Sequence, residues 1–501
     1  MTVTLERARE KIIQLALCLL VGTLSGGILL LDLSLKWEIV FFGVIGIIVL
    51  ILVTKRPERV LLGILAFIVP FYFEKAIITQ PGSTTYATNV SVYLSDILAL
   101  ALLLIFLGKL ARKQVKINSF ANVMVPALAW LIVSFISLFA AKDGELVLFQ
   151  LINIGKMILF CWVVASSVEH DGDLTFVITG LMLGIAFQSL VAIYQGVTGH
   201  PLGLGFLTEA TVIMTQQLGV GLVNRVQGTM GYPNTLAMYL STGVPFALAL
   251  LFSEKRFFVK VLVGITLCLI SWALILSLSR AAWGNFLVTI CLVLVLAIRR
   301  KRIRLIAAIV IGGTIAILLL GVALFGTDLI QSRLTSNDQG SAASRITLDE
   351  GALAVIRDNP VIGIGLNNYV LVSPRYDQAD AAAWNDYTPV VHNAYLLIAA
   401  ETGLLGLGAF VVFMVILLIQ VWKIVNQALG DTVWVAGVGI LGALIALIIH
   451  SMVDYALLGS SLLFTQFWLL IGLSAALMQR IDRERQDIRR DSNSSNTMTR
   501  G

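Results

Sequence analysis

Four side chains in this sequence have the chemistry needed to act on a phosphorylated substrate: Arg225, Arg280, Arg345 and His392. Arginine carries a permanent positive charge and a fork of hydrogen-bond donors that suits the oxygens of a diphosphate. Histidine can accept a proton near neutral pH, as a general base must. These residues could therefore hold a diphosphate and activate a hydroxyl group, provided that the fold brings them together.

The elements that carry these residues must lie in a membrane. Of the 501 residues, 58% are hydrophobic and only 13% are charged. A soluble protein cannot expose that much apolar surface without associating, and repeated apolar runs of about twenty residues are typical of membrane-spanning helices. The net charge of +6 comes mostly from short clusters between these runs, so it does not indicate a nucleic-acid partner.

The fold class predicted is an all-α polytopic membrane protein with about fourteen (12–14) transmembrane helices. The span at 60–78 is the weakest of them, because Pro70 and Glu74 interrupt it. The predicted spans are 12–31, 37–53, 60–78, 92–110, 121–141, 148–167, 174–196, 234–253, 258–278, 282–298, 303–325, 393–421, 433–450 and 460–478.

Basic clusters recur at nearly every second loop, which is the pattern that places a loop in the cytoplasm. The pattern predicts a multi-pass protein of the bacterial inner membrane with both termini cytoplasmic. The long connections 79–91, 197–233 and 326–391 then lie on the periplasmic face. Arg280 lies between two cytoplasmic clusters, so we expect it near the apex of a helical hairpin on that same face.

Four regions follow from this topology. They are an N-terminal transmembrane bundle (1–325), a periplasmic loop with short helices (326–391), C-terminal transmembrane helices (392–480) and a disordered cytoplasmic tail (481–501). Within the loop, apolar residues at Ile346, Leu348, Leu353 and Val355 predict an amphipathic helix that ends at 359–360, where Pro360 stops it. The glycines of VIGIGLNNY predict a tight turn after that helix.

Each candidate residue also has an ordinary structural interpretation. An arginine at a membrane edge is commonly an anchor, and a single histidine at the start of a helix is commonly a structural hydrogen-bonding group. Glu401 follows His392 by nine residues, which places it on the opposite side of an ideal helix. A buried carboxylate that accepts hydrogen bonds between helices is the better interpretation of Glu401, unless Gly403 and Gly406 mark a break.

Three motifs resemble those of the O-antigen ligase and O-antigen polymerase family, in the same order. They are RVQGTMGYPNTLAMYL (225–240), SLSRAAWG (277–284), and NPVIGIGLNNY (359–369) followed by HNAYLLIAAETGLLGLGAF (392–410). The resemblance covers about 225–410. It implies a glycosyltransferase of the GT-C type that works in lipopolysaccharide or polysaccharide biosynthesis at the cell envelope. The family's usual layout has about twelve spans.

The resemblance also implies roles for individual residues. His392 would be the base for the acceptor hydroxyl, and Arg280 and Arg345, with Arg225, would bind the diphosphate; Asn393 and Glu401 would support the site. The implied donor is an undecaprenyl-diphosphate-linked glycan, and the acceptor is a lipid A core, a growing polysaccharide or another hydroxyl. The anomeric centre would be inverted, without a metal or other cofactor, and membrane lipid would surround the donor's tail.

Two other functions stay open at this point. Some relatives with this signature have been assigned to bicarbonate transport, and a transporter is expected to place polar groups and broken helices near the middle of the bilayer. A non-catalytic scaffold for polysaccharide assembly would tolerate changes at Arg280 and His392. The placement of the candidate charges at one face favours the transferase.

Overall fold

The computed structural model describes residues 56–79, 88–115, 117–118, 120–207, 209–218, 221–253, 256–300, 341–376, 390–428 and 430–498, with single positions between 42 and 54 and at 312–313. The chain divides into two compact units, 1–61 and 62–501. In the first unit, the structure describes isolated helical positions between 42 and 49 and the start of helix α1 (Pro57–Ile68).

The second unit is helical, with two small antiparallel hairpins. Strand β1 (Glu74–Thr79) pairs with β2 (Asn89–Tyr93), and β3 (Met214–Leu218) pairs with β4 (Gly221–Arg225). Its further helices are α2 (Leu94–Ala111), α3 (Ala121–Ile136), α4 (Gly144–Ser167), α5 (Asp171–Thr198), α6 (Pro233–Ser253), α7 (Phe257–Leu276), α8 (Arg280–Arg299), α9 (Ser341–Asp358), α10 (Tyr369–Val372), α11 (Ala394–Gln427), α12 (Asp431–His450), α13 (Ala456–Gly459) and α14 (Ser461–Met498).

Ten helices in the described part of the chain are long and apolar enough to cross a membrane. They are α2 to α8, α11, α12 and α14, and each coincides with a predicted span. A polytopic all-α membrane protein is therefore confirmed. The predicted span 12–31, and most of 37–53 and 303–325, lie outside the described residues, so the total of about fourteen stays a prediction.

The predicted span at 60–78 is wrong as a continuous helix. Helix α1 contains 12 residues and ends at Ile68, before Pro70. At about 1.5 Å per residue such a helix is too short to cross a hydrocarbon core of about 30 Å. The apolar residues at 76–78 belong instead to strand β1, which pairs with β2.

Close backbone approach lets the central helices pack tightly. A Cβ atom at Gly439 would overlap the ring of Phe246, and one at Gly442 would overlap Pro245. These glycines on α12 therefore allow it to lie directly against α6, which is almost entirely buried. Small residues commonly allow this approach between membrane helices.

Contacts between residues distant in sequence identify one end of the bundle, called here the site end. At this end the backbone before α4 meets the segment after α9, since Asp143 N donates to Asn368 Oδ1 (2.8 Å). The start of α6 likewise meets the segment after α12, where Asn234 Nδ2 donates to Asp454 Oδ2 (2.9 Å). The starts of α4, α6 and α11 therefore lie at the site end.

At the other end of the bundle, α14 continues beyond the membrane-spanning length. Arg480 donates to Asp171 Oδ1 (2.7 Å) and pairs with Glu484 (3.0 Å), one turn further along the same helix. The helix extends to Met498, so residues 481–498 are helical and not disordered as predicted. Pairs at i and i+4 stabilise such an extension.

The predicted amphipathic helix of the long connection is present as α9, and it ends at Asp358, just before Asn359 and Pro360. Leu348, Ala352 and Val355 are its buried apolar residues, whereas Ile346 and Leu353 are exposed. The buried face joins a hydrophobic cluster with Leu397 and Ala400 of α11. The long connection is therefore docked on the start of α11 through α9; residues 326–340 and 377–389 lie outside the described part.

Candidate functional site

The start of α11 is fixed by a helix cap and by two bonds to the end of α12. The Asn393 side chain accepts hydrogen bonds from the backbone N–H groups of Tyr395 (3.0 Å) and Leu396 (3.2 Å). This is the N-cap arrangement that asparagine favours. Ala394 N donates to Ser451 O (2.9 Å), and Tyr395 Oη donates to Ile448 O (3.0 Å). Asn393, the residue after His392, thus fixes the start of α11.

His392 is half-buried beside the residues that follow α12. Its ring centroid lies 5.7 Å from that of Tyr455. Its Nδ1 atom is buried and has no hydrogen-bond partner among the residues that the structure describes. A buried polar atom normally has a partner, so Nδ1 is open to a bond with a bound group or with water.

The electrostatic surroundings of His392 favour its neutral form. Burial lowers the pKa of the imidazole below its ordinary value of 6.5, the nearby Asp454 carboxylate raises it, and the Arg345 guanidinium lowers it. The net pKa shift is downward, so the ring is neutral at pH 7. A neutral imidazole can accept a proton.

Arg345 reaches this region from α9. Its side chain is half-buried and acts electrostatically on His392, and also on Asp349 one turn further along the helix. The long connection therefore brings a guanidinium into the electrostatic range of the histidine, although the two residues are 47 positions apart in the sequence. Docking of α9 against α11 produces this proximity.

Arg225 enters the site end from the last residue of β4. Its Nε donates to Ser277 O (3.1 Å), and its Nη2 donates to Asn234 Oδ1 (3.1 Å). Asn234 in turn donates to the buried Asp454, whose other oxygen accepts from Ala456 N (2.8 Å). A continuous chain of hydrogen bonds thus leads from Arg225 to Asp454, which acts electrostatically on His392.

Arg280 is the first residue of α8, directly after the short turn that joins it to α7. Leu278 in that turn has a φ of 53°, in the left-handed region. Trp283 Nε1 donates to Leu274 O (3.0 Å) and closes the turn from the other side. The predicted hairpin apex is therefore present, and the turn carries both Arg280 and the Ser277 carbonyl that binds Arg225.

Two buried glutamines of α5 hold the segment that follows Arg225. Gln195 Oε1 accepts from the N–H groups of Gln227 (3.1 Å) and Gly228 (2.8 Å). Gln188 accepts from Thr229 N (3.0 Å) and donates to its hydroxyl (2.6 Å). The sequence analysis did not identify either glutamine. Two amides inside an apolar span were nevertheless a signal, because buried amides need hydrogen-bond partners.

Glu401 does not meet His392. It is 1% exposed, and its Oε1 accepts from Tyr369 N (3.2 Å), the first residue of α10. Helix α11 is also broken two residues later, since Gly403 has φ 70° and ψ −179°. The carboxylate is thus buried and bonded between elements, and the break at Gly403 is present as well.

The segment after α9 replaces the hydrogen bonds that the break in α11 removes. Leu404 N donates to Pro360 O (2.8 Å), Ile364 N donates to Ala400 O (3.0 Å), and Gly365 N donates to Glu401 O (2.9 Å). We call this arrangement the 359–365/400–405 joint. It explains the NPVIGIG motif, in which Gly363 and Gly365 have φ values of 70° and 100°.

The next residues of the same motif attach the joint to the start of α4. Asn368 Nδ2 donates to Asp143 O (3.0 Å), and Asn367 Nδ2 donates to Leu146 O (3.2 Å). Leu366 N donates to the buried hydroxyl of Ser137 (3.0 Å). The motif after α9 therefore positions elements and contributes little that could face a substrate.

His450 is buried at the end of α12, near the same aspartate. Its Nδ1 lies 3.5 Å from Asn285 Nδ2 of α8, and that amide also donates to Ala446 O (3.0 Å). Asp454 accepts hydrogen bonds from Asn234 Nδ2 and Ala456 N. The histidine therefore ties α8 to α12.

The site end thus combines a neutral imidazole, one buried carboxylate and guanidinium groups from three separate connections. Such a set can bind an anionic group and accept a proton from a hydroxyl. Among the described residues, no group of three or more His, Cys, Asp and Glu side chains has an arrangement suited to a metal ion.

Comparison with known families identifies the same region. Residues 264–411 match the family model for O-antigen ligase, and these residues include Arg280, Arg345 and His392. No curated protein matches the chain significantly. The resemblance inferred from the motifs is confirmed over this part of the chain.

Proposed function

We propose that the protein is a membrane glycosyltransferase that moves a glycan from a polyprenyl-diphosphate carrier to an acceptor hydroxyl, because residues 264–411 match the O-antigen ligase family. Undecaprenyl diphosphate is the carrier that the family resemblance implies. The acceptor is a lipid A core, a growing polysaccharide or another hydroxyl-bearing molecule.

The placement of Arg345 and Asp454 around His392 is the observation that carries the proposal. Both charges act on the imidazole, and the aspartate is connected through Asn234 to Arg225. A guanidinium that can bind an anion and an imidazole that can accept a proton therefore lie within electrostatic range of each other. Transfer from a lipid diphosphate to a hydroxyl needs that combination.

The reaction can be written with these groups. The acceptor hydroxyl gives its proton to His392 while its oxygen attacks the anomeric carbon of the donor sugar. The bond between that carbon and the phosphate oxygen breaks, and its electron pair leaves with the diphosphate. Arg225, Arg280 and Arg345 stabilise the charge that develops there, so the proposed reaction needs no metal. Attack opposite the leaving group inverts the anomeric centre.

The location of the site supports a reaction at one face of a bilayer. His392 lies just before the span α11, and Arg280 is the first residue of the span α8. Arg345 lies on α9, which is not one of the ten candidate spans. The basic clusters on alternate loops favour the periplasmic face of a bacterial inner membrane, with both termini in the cytoplasm. The diphosphate would then lie at the surface and the polyprenyl tail among the helices.

Transfer by the purified protein tests the proposal. The wild type would be incubated with an undecaprenyl-diphosphate oligosaccharide and a panel of acceptors, and the product measured by mass spectrometry. We expect His392→Ala to lower kcat by about 10²- to 10⁴-fold, the usual contribution of a general base. Arg345→Gln should lose about tenfold or more, the effect of one charge-assisted hydrogen bond. Arg357→Gln is the matched control, because Arg357 is exposed on the same helix.

Two results would contradict the proposal. If folded His392→Ala and Arg345→Gln transfer as well as the wild type, the site is assigned wrongly. If the wild type transfers to no acceptor but takes up solute in liposomes, the protein is a transporter.

A further inference from the structure

A polar cavity lies next to the first hairpin, the one formed by β1 and β2. It is bounded by the β1–β2 hairpin, by α4 and by the start of α14, and we call it the hairpin cavity. The residues that define it are Tyr72, Tyr93, Gln150, Asn153, Lys156 and Ser461. Neither the family match at 264–411 nor the proposed diphosphate site includes these residues.

The lysine that lines the hairpin cavity is already paired with a carboxylate. Lys156 Nζ forms a salt bridge with Asp96 Oδ2 (2.9 Å) and donates to Ser91 O (3.0 Å). The same ammonium lies 4.6 Å from the centre of the Tyr93 ring. Because the carboxylate and the ring balance the lysine, the cavity favours an uncharged polar group over a phosphate.

Two amides face this cavity without protein partners. Gln150 and Asn153 are three residues apart on α4, so they lie on the same face of the helix. Gln150 is only 5% exposed, and neither side chain bonds to any residue within the described ranges. Buried amides normally have partners, and each amide offers both donors and an acceptor. Hydroxyl and acetamido groups match both functions.

The size of the cavity limits what can enter. Its volume is about 60 Å³, which accommodates a few groups the size of water. A substituent of a sugar fits this space, whereas a whole pyranose ring does not. Tyr72 and Tyr93, whose ring centroids are 5.8 Å apart at 90°, form an aromatic wall beside the amides.

Helix α13 connects the hairpin cavity to His392. Leu458 and Gly459 line the cavity, and Gly459 N donates to Tyr455 O (3.0 Å) one turn earlier. The Tyr455 ring lies next to His392 at 5.7 Å. The single turn of α13 between Tyr455 and Gly459 therefore contacts the imidazole at one end and the cavity at the other.

We propose that the hairpin cavity binds a hydroxyl or acetamido substituent of the acceptor saccharide, and so helps to select the acceptor. This inference rests on the proposed function. Asp454 precedes α13 and is linked to Arg225, whereas the cavity adjoins the other end of α13. The leaving diphosphate and the attacking hydroxyl must lie on opposite sides of the anomeric carbon. The cavity therefore serves the acceptor.

The first test is sugar binding without catalysis. Full-length protein carrying His392→Ala, in lipid nanodiscs, would be mixed with methyl glycosides of hexoses and N-acetylhexosamines at millimolar concentration. Saturation-transfer NMR should detect at least one of these glycosides, and the added change Gln150→Leu should abolish its signal. Gln479→Leu is the matched control. Gln479 lines a different cavity, together with Phe120, the residue before α3. Absence of binding by every glycoside, or binding that Gln150→Leu leaves intact, overturns the inference.

The second test is kinetic and separates the inference from the proposed function. In the otherwise wild-type enzyme, Gln150→Leu and Asn153→Leu should each raise the acceptor KM about three- to tenfold, the effect of losing a hydrogen bond. The donor KM should not change. If the wild type transfers glycan and the donor KM rises alone, the cavity serves the donor and our assignment is wrong. If the wild type transfers nothing, the proposed function fails, and the NMR result still decides whether the cavity binds sugar.

Discussion

The break in α11 at Gly403 leads to a specific prediction for stability. Its backbone (φ 70°, ψ −179°) is in a region that is essentially restricted to glycine. A Cβ atom at this position would overlap the carbonyl group of Val361. The Gly403→Ala variant therefore cannot keep the 359–365/400–405 joint as it is.

The cost can be estimated from the contacts of the joint. Backbone strain of this kind costs on the order of 1–3 kcal/mol. Moving the 359–365 segment would also weaken hydrogen bonds such as Leu404 N to Pro360 O (2.8 Å) and Ile364 N to Ala400 O (3.0 Å), each worth about 1 kcal/mol. We expect Gly403→Ala to lower the free energy of unfolding by about 3–5 kcal/mol.

Thermal unfolding of the purified protein in detergent measures this effect, with Gly408→Ala as the control. Gly408 lies on the same helix and is exposed, and a Cβ atom added to it would meet no neighbouring atom within 4 Å. Alanine there should be neutral or stabilise by up to about 1 kcal/mol. If the two variants unfold at the same temperature, the break is not needed and our reasoning about the joint is refuted.

Three further predictions concern His392 and the first turns of α11. Because Arg345 lowers the pKa of His392 and Asp454 raises it, Arg345→Gln should move the acidic limb of the pH profile of kcat/KM upward and Asp454→Asn should move it downward; shifts of both variants in the same direction would contradict this. Asn393→Ala should cost about 1 kcal/mol of stability through the lost cap, and Asn393→Asp should retain it; calorimetry distinguishes the two. Glu401→Leu should lower the free energy of unfolding by about 1–3 kcal/mol, since it removes the acceptor of the Tyr369 N–H bond. Glu401→Gln keeps an acceptor oxygen and should cost less. Equal unfolding midpoints for the two variants would show that Glu401 does not stabilise the protein through this bond.

Much of the fold could be predicted because apolar length is a direct signal of a membrane helix. The spans that became α2 to α8, α11, α12 and α14 each contain a long stretch of high mean hydropathy with few charged residues. The prediction failed at 60–78, where a short helix and strand β1 together imitate one long apolar run. A strand and a helix of similar hydrophobicity cannot be separated by composition, and here Pro70 and Glu74 were the local signs of the change.

The site was harder to predict, because its connections join residues far apart in sequence. The types of Arg225, Arg345 and His392 indicated the chemistry, but no pattern showed that Asn234 would link Arg225 to Asp454. Spacing along an ideal helix correctly excluded a contact between His392 and Glu401. It could not show that Glu401 would accept from Tyr369 N, since that bond depends on docking of the long connection.

His392 and Arg345 are proposed to have different roles, and a paired measurement separates them. Binding of undecaprenyl diphosphate and transfer of its glycan would be measured side by side in His392→Gln and Arg345→Gln. We expect His392→Gln to bind the carrier as the wild type does but to transfer its glycan at least about 100-fold more slowly, whereas Arg345→Gln should bind the carrier at least about tenfold more weakly. Normal transfer by His392→Gln, or unchanged carrier binding by Arg345→Gln, would refute these roles.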